Sequence, residues 1–191
     1  MIRSRTTAYI ALGLAAVVLG WTLYALPRRQ SAPVTRAGTP PPATPTAAPP
    51  GRKIKARLFY VNDEGVRLTG VERDVAYAES ASDQAREIVA AQIAPVAEPL
   101  LSAVPRGTQL RAVFITEGGE AYVDLSGEVK SAHPGGTVNE LLTLYTLVNA
   151  LTANLPAVTA VQVLVDGKEV DTLSGHVDLR RPLARNLAWV Q

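Results

Sequence analysis

The sequence predicts an α+β domain in which two helices pack on one face of a mixed, mostly antiparallel sheet. Short apolar segments bounded by turn residues alternate with two longer segments of helical period, in the order β-β-α-β-β-α-β-β. Each helix follows a hairpin instead of a single strand, which is typical of the α+β class. Residues 58–191 are long enough to bury one hydrophobic core of this kind.

The first half of the domain predicts a hairpin followed by a helix. Arg57–Val61 and Leu68–Tyr77 have the composition of strands, and Asn62–Gly65 between them is rich in turn formers. From Ser82 onward, apolar residues recur at spacings of three and four, which indicates a helix. The spacing continues to Val96, and Pro95 and Pro99, which lack a backbone donor, are expected to break or kink this helix.

A second hairpin is predicted after the helix. Gln109–Ile115 is apolar on both sides, which favours a central place in the sheet. Glu117–Glu120 contains two glycines and predicts a tight turn. Ala121–Leu125 is therefore expected to pair back on the preceding strand.

The strongest local pattern begins the second helix. Thr137 and Glu140 have the spacing of a capping box, in which the threonine oxygen accepts the amide of Glu140 and the carboxylate reaches back. An apolar stripe of period 3.6 continues toward Pro156, which closes the helix. The stripe consists of Val138, Leu141, Leu142, Tyr145, Val148, Leu151, Thr152 and Leu155.

A third hairpin follows the second helix. Val161–Val165 is an apolar strand, and an Asp-Gly pair after it predicts a two-residue turn. Lys168–Leu173 is expected to be the return strand.

An uncharged, apolar segment from Tyr9 to Leu26 predicts one membrane-spanning helix within residues 1–26. Counted from Thr6, the segment rises about 31 Å, which is enough to cross a hydrocarbon core of roughly 30 Å. A cleaved signal peptide is the alternative, but its apolar region is shorter and ends at a small-residue cleavage site. Arg28 and Arg29 follow here instead. We expect an uncleaved signal-anchor in the cytoplasmic membrane, with the N-terminus in the cytoplasm and the domain outside.

Residues 27–54 predict a disordered linker. Eight of the 14 prolines fall between Pro27 and Pro50, and Ala, Thr and Ser fill most of the rest. Such a segment has almost no apolar surface to bury. A spacer that holds a domain away from a membrane is the favoured interpretation, and a proline-rich ligand for a partner's aromatic groove is the alternative.

Composition and charge exclude several functions. The chain has no Cys and only two His, which excludes disulfides, thiolate metal sites, cysteine nucleophiles and histidine-rich metal centres. Residues 1–57 hold nine basic residues and no acid, whereas residues 58–191 hold ten basic residues and 17 acids, a net charge of −7. A nucleic-acid-binding domain carries clustered Lys and Arg on its folded part. The acidic folded part therefore predicts no nucleic-acid partner.

Motifs across most of the folded region resemble, in order, the GerMN domain of GerM-type sporulation and spore-germination proteins. The resemblance covers about residues 55–185 and depends on the ordered set rather than on any single motif. The motifs are Ser102–Thr108, Ala121–Ser126, Gly135-Gly136, Glu140, Leu147–Thr152, Pro156–Val161, Asp166-Gly167-Lys168 and Gly175-His176.

The resemblance implies an extracytoplasmic bacterial domain without established enzymatic activity or cofactor, followed here by a short tail, residues 186–191. Known relatives are membrane-attached and act in envelope assemblies, and their fold resembles ring-building modules of secretion-like complexes. This chain departs from them in having one copy of the domain where sporulation members can have two. It also has a predicted membrane helix in place of a lipoprotein Cys.

Ser174, His176 and Asp178 have the residue types of a catalytic triad. On an extended segment these residues share a face, but successive members lie about 6.8 Å apart. A working serine–histidine pair needs roughly 2.6–3.2 Å, and no glycine-rich nucleophile turn of the hydrolase type lies nearby. We therefore expect no catalysis here, with Gly175 allowing a bend and His176 satisfying a local hydrogen bond.

Asp124 and Ser126 form a polar pair at a strand end, where ligand contacts often lie. The alternative is that they satisfy loop amides, the usual role of such residues at turns, and this interpretation is favoured. His133 is expected in an exposed loop, and its spacing from His176 gives no support for a metal site. The candidate contact residues are therefore Asp124, Ser126, His176 and Asp178, without a metal or cofactor.

Two classes of function remain. We expect a non-catalytic, membrane-anchored domain that acts in a bacterial cell-envelope complex. Its expected partners are the cytoplasmic membrane and either other envelope proteins or further copies of itself. Peptidoglycan is a further class of ligand. The alternative is an enzyme that binds or acts on cell-wall polymers. Glycosidases need two carboxylates about 5–9.5 Å apart across a cleft. A cleft with converging acids would therefore favour the enzyme, and none is recognisable in the sequence.

Overall fold

The computed structural model of the protein describes residues 51–191, so the predicted span Tyr9–Leu26 and nearly all of the predicted linker lie outside the described residues. The strands are β1 Lys53–Val61, β2 Leu68–Ala76, β3 Leu110–Ile115, β4 Glu120–Leu125, β5 Ala160–Val165, β6 Lys168–Glu169 and β7 Leu183–Ala184. The helices are α1 Ala81–Ile93, α2 Glu128–Ser131 and α3 Thr137–Asn154, with a 3₁₀ turn at Leu187–Trp189. Within residues 51–191, no helix combines the length and hydropathy needed to cross a bilayer.

β1 and β2 form an antiparallel hairpin that is a sheet of its own. β1 begins at Lys53, before the predicted start of the strand at Arg57. Lys53, Lys55 and Arg57 are the exposed members of an alternating pattern, and Ile54 and Ala56 between them turn inward. The beginning of the strand was missed because its alternation is carried by charged residues.

The larger sheet has the order β3-β4-β5-β6, and β7 also pairs with β5. β4 and β5 are parallel, with α3 in the crossover between them, and the other pairings are antiparallel. The α+β class and the mixed, mostly antiparallel sheet are therefore as predicted, whereas the single sheet is wrong. The predicted central place of β3 is also wrong, because β3 is an edge strand on which Phe114 is 62% exposed.

The two long helices lie between the hairpin and the larger sheet. α3 contacts β1 and β5, while α1 contacts β3 as well as the hairpin. This position explains why α3 is buried on nearly all sides, including the polar residues Thr143, Thr146 and Asn149. The inner residues of the larger sheet, such as Val123 and Val163, are buried as well.

Side-chain amides from both helices close the free edge of β1. Gln92 on α1 accepts from the amide of Phe59 and donates to its carbonyl, both at 2.8 Å. Asn154 at the end of α3 makes the same pair of bonds to Arg57, both at 2.8 Å. The two side chains take the place of a neighbouring strand, so these backbone groups are satisfied without β pairing.

The segment predicted to be a C-terminal tail lies against β2. Val190 forms a parallel bridge with Leu68, and the amide of Gln191 donates to the Leu68 carbonyl at 3.0 Å. The Arg67 guanidinium donates to the carbonyl of Ala188 at 2.7 Å. These contacts tie residues 187–191 to the first hairpin.

We expect a fragment of residues 52–191 to unfold in one cooperative transition, because its buried core lies within that range. Trp189 is the only tryptophan of such a fragment and lies in the C-terminal segment. Urea unfolding followed by tryptophan fluorescence and by far-ultraviolet circular dichroism should therefore give coincident curves. A fluorescence change at distinctly lower urea would mean that the C-terminal segment is not part of the cooperative unit.

Candidate functional site

A buried carboxylate on the first turn of α3 organises the polar cluster that contains Ser174 and His176, two of the three residues whose types match a catalytic triad. Glu140 is completely buried, and its Oε1 accepts from the amides of Leu173 at 2.9 Å and Ser174 at 3.0 Å. Its Oε2 accepts from the Ser174 hydroxyl and the His176 amide, both at 2.9 Å. The Nδ1 atom of His176 lies 3.1 Å from the same oxygen. One carboxylate thus holds three residues of a single segment.

The charge of Glu140 is maintained by these hydrogen bonds. Burial raises its pKa, but the bonds from Ser174, His176 and Leu173 outweigh burial and lower the pKa from 4.5 to about 2. A carboxylate only accepts hydrogen bonds, so neutral His176 carries its proton on Nδ1. The Nε2 atom is then an acceptor on an imidazole that is 39% exposed.

The capping box predicted for α3 is wrong. The N-cap is Gly136, with φ of 81°, and no side chain caps the helix. Thr137 is instead the first helical residue, and Glu140 turns toward residues 173–176. Sequence reasoning therefore missed the main structural role of Glu140.

A signal for that role is present in the sequence. Glu140 shares a helical face with the completely buried residues Leu144, Leu147 and Leu151, at spacings of four, seven and eleven, next to the predicted apolar stripe. A glutamate on an inward-facing side of a helix needs hydrogen-bond donors from elsewhere in the fold. The pattern indicates the need for a partner, although it does not identify one.

Residues 171–179 form a compact Ω-loop around this carboxylate. The amide of Leu179 donates to the carbonyl of Asp171 at 2.8 Å and closes the neck of the loop. Gly175 lies near the tip with φ of 98°, a conformation that L-residues rarely adopt. The predicted return strand Lys168–Leu173 is therefore wrong beyond β6, because the chain leaves the sheet to surround Glu140.

Ser174 and His176 approach each other, but not as a nucleophile and its base. The Ser174 hydroxyl lies 3.5 Å from Nδ1 of His176, so the spacing of an extended strand does not apply. In a catalytic triad the serine and the acid contact opposite ring nitrogens. Here the serine and Glu140 share one ring nitrogen, and the serine proton goes to the carboxylate. Asp178 accepts from the Arg180 guanidinium at 2.9 and 2.8 Å, and these bonds lower the pKa of Asp178.

Asp124 and Ser126 lie in a separate polar cluster. Asp124 is buried, and it accepts from the amide of Gly167 at 2.7 Å and from Nε of Arg111 at 3.1 Å. The Ser126 hydroxyl accepts from the amide of Gln109 at 2.9 Å. Asp124 and Ser126 thus both satisfy backbone amides, which is the role that the sequence favours for them.

His133 is half-buried rather than exposed, because its ring lies against α3 and contacts Thr143. Among residues 51–191, no group of three or more His, Asp or Glu side chains is arranged to hold a metal ion.

A groove of about 670 Å³ follows the irregular segment between α1 and β3. Its walls are mainly aliphatic and proline side chains, and its charged lining residues in the described range are Glu98 and Arg106. Glycoside hydrolysis by the common mechanism needs two carboxylates. One carboxylate in the groove does not supply such a pair.

The fold and the cluster define a small α+β domain in which two helices separate a hairpin from a mixed sheet and a buried glutamate closes an Ω-loop. The chain belongs to the Germane family, whose model, described as "Sporulation and spore germination", matches residues 57–171. The predicted GerMN-type domain is thereby confirmed. No curated protein sequence matches the chain.

Solved structures that share this fold include two of one sporulation protein. The tandem GerMN domains of the sporulation protein GerM from Bacillus subtilis match 70% of this chain at 17% identity, with a TM-score of 0.54. This match covers 46% of the tandem chain, so the present protein spans about half of that length. The first GerMN domain alone matches 69% of this chain and 98% of its own length, at 18% identity and a TM-score of 0.50. At these identities the likeness concerns the fold.

Proposed function

We propose that this protein is a membrane-anchored, extracytoplasmic domain that acts by contact in a bacterial cell-envelope complex and catalyses no reaction. The observation that carries the proposal is that the side chains of Ser174 and His176 both contact the Glu140 carboxylate. A nucleophilic serine needs a base within reach that can take its proton. Here the serine donates to a carboxylate with a pKa of about 2, which is far too weak a base for that role.

The outer face of the Ω-loop is the surface that we assign to this contact. His176, next to Gly175 at the tip, and Asp178, next to the neck, are exposed there, and Glu140 fixes the backbone of Ser174 and His176. A loop that is already ordered loses little conformational freedom when it binds, so less of the contact energy is spent on ordering. The predicted contact residues His176 and Asp178 fit this role better than Asp124 and Ser126, whose side chains hold backbone amides.

The contact can be tested by photocrosslinking in the native host. A photoreactive residue at Asp178 should give adducts with envelope proteins or with a second copy of the chain. The same residue at Glu64, which is exposed in the turn between β1 and β2, is the matched control. Adducts of the same kind and yield from both positions, or none from Asp178, would contradict the assigned surface.

The envelope location is supported by family membership and by the uncharged N-terminal segment. If the linker adopts polyproline II geometry, 25 of its residues reach at most about 78 Å, so it can hold the domain away from the membrane. Partners in the envelope would then meet the domain at a distance from the lipid surface.

We expect alkaline carbonate to leave the full-length chain in the membrane pellet. A double variant, Leu14→Arg with Val18→Arg, places charges within Tyr9–Leu26, at a cost of about 2.5–3.5 kcal/mol each near the bilayer centre. This variant should be released or fail to insert. A parent chain found in the soluble fraction, or a mature N-terminus after Leu26, would contradict the anchor.

A further inference from the structure

His133 joins the loop before α3 to α3 itself through its two ring nitrogens. Its Nδ1 accepts from the amide of Gly135 at 3.0 Å, in the loop that leads into α3. Its Nε2 lies 3.2 Å from the hydroxyl of Thr143, a completely buried residue of α3. That hydroxyl lies 2.7 Å from the carbonyl of Ala103, between α1 and β3, and 2.9 Å from the carbonyl of Asn139.

Only one protonation state of His133 satisfies all of these contacts. The amide of Gly135 points at Nδ1, so Nδ1 must carry a lone pair. The Thr143 hydroxyl has one proton, which goes to a carbonyl, so its oxygen accepts the proton on Nε2. The ring is therefore neutral and protonated on Nε2, the opposite tautomer to that of His176.

We propose that His133 is an acid-sensitive latch that holds the loop before α3 to the helix at Thr143 while neutral and releases it when protonated. A proton on Nδ1 would set two N–H donors against each other across 3.0 Å. The ring must turn away to relieve this repulsion, and the contact with Thr143 is then lost as well. Gly135 and Gly136, both at φ of 81°, form the turn that is freed, and this turn leads directly into the helical turn that carries Glu140.

Two titratable groups face the ring. They are the Glu140 carboxylate, on α3, and the His176 imidazole, on the Ω-loop. From the segment between α1 and β3, the group that reaches the latch is the uncharged carbonyl of Ala103, through Thr143. Any release on acidification must therefore be assigned to His133 by variants that separate it from His176.

The direction of the pH dependence follows from burial. Burial lowers the pKa of His133 below 6.5; the Glu140 charge acts in the opposite direction and His176 in the same one. The native state therefore binds the proton less tightly than the unfolded chain does. The stability that the latch contributes is complete above 6.5 and is lost as the pH falls through the lower native pKa.

The test is nitrogen-15 NMR of the imidazole rings in the full chain, held in detergent micelles. The chain has two histidines, so His133→Asn and His176→Asn variants assign both signals. In its neutral form, His133 should carry its proton on Nε2, whereas neutral His176 should carry its proton on Nδ1. On acidification, His133 should gain a proton with a midpoint below 6.5. The protection factor of the Gly135 amide, its intrinsic exchange rate divided by its observed rate, should then fall by about tenfold for each pH unit below that midpoint.

Three results would overturn the latch. The first is a proton on Nδ1 of His133 at neutral pH, and the second is a midpoint at or above 6.5. The third comes from His133→Asn, which offers Gly135 an acceptor that does not titrate. Acid-induced exchange at Gly135 that persists in His133→Asn would exclude the latch. Exchange that is lost in His133→Asn but persists in His176→Asn would support the latch. If His133→Asn does not fold, the tautomer and midpoint of the parent chain still decide.

Discussion

Replacing Glu140 by glutamine should lower the free energy of unfolding by about 3 kcal/mol, the linkage value of a pKa lowered from 4.5 to about 2. Glutamine has one acceptor oxygen where glutamate has two. Its NH₂ group would face either the amides of Leu173 and Ser174 or the donors of Ser174 and His176. Urea unfolding of parent and variant near neutral pH measures this loss.

Glu140→Gln should also change how the free energy of unfolding depends on pH. The folded pKa of Glu140 is depressed, so its contribution to stability is complete above 4.5 and is lost as the pH falls toward about 2. Part of the parent's acid sensitivity in this window should disappear in Glu140→Gln. Asp178→Asn, at the exposed end of the same loop, is the control and should leave the neutral-pH midpoint close to the parent's. Equal stability of Glu140→Gln and parent would show that the Ω-loop does not depend on the carboxylate.

Replacing Gln92 by leucine should also destabilise the domain, by about 2–5 kcal/mol, because it leaves two buried backbone groups without partners. Gln92 is completely buried, and it bonds both the amide and the carbonyl of Phe59 at 2.8 Å. Water has no access to this part of β1, so nothing replaces the lost bonds. Denaturant unfolding at constant pH measures the effect.

Gln84→Leu is the matched control on the same helix. Gln84 makes a similar pair of bonds, accepting from the amide of Ala78 at 2.9 Å and donating to the carbonyl of Ala76 at 3.0 Å. Both partners are only half-buried, so water can replace the side chain and the loss should be smaller. A loss for Gln92→Leu no larger than that for Gln84→Leu would contradict the edge-closing role of Gln92.

The elements that sequence predicts well are those defined by local periodicity. α1 ends at Ile93, before Pro95, and β4 follows a tight turn, because both patterns depend on residues only a few positions apart. The start of β1 was missed because its exposed positions, Lys53 and Lys55, are charged. Its place in a sheet depends on pairing with β2, Lys53 with Ala76, which composition alone does not report.

The candidate site was harder to predict because its bonds span long distances in sequence. Glu140 and Thr137 fit a local capping box, yet the donors that Glu140 uses lie 33 to 36 residues further along. A long-range partner that satisfies a buried charge outweighs a cap that solvent can replace. The local pattern therefore predicted the wrong role for Glu140. The spacing of an extended strand predicted the wrong distance between Ser174 and His176, because the Ω-loop brings the Ser174 hydroxyl within 3.5 Å of Nδ1 of His176.

The central claim is that Ser174, His176 and Glu140 fold a contact loop and do not catalyse a reaction. Its most direct test is the rate at which the purified full chain degrades peptidoglycan, measured beside Ser174→Ala and His176→Ala variants whose folding is checked by circular dichroism. We expect all three proteins to show no turnover above a buffer control. Turnover by the parent that a folded Ser174→Ala variant has lost would contradict the claim and establish an enzyme.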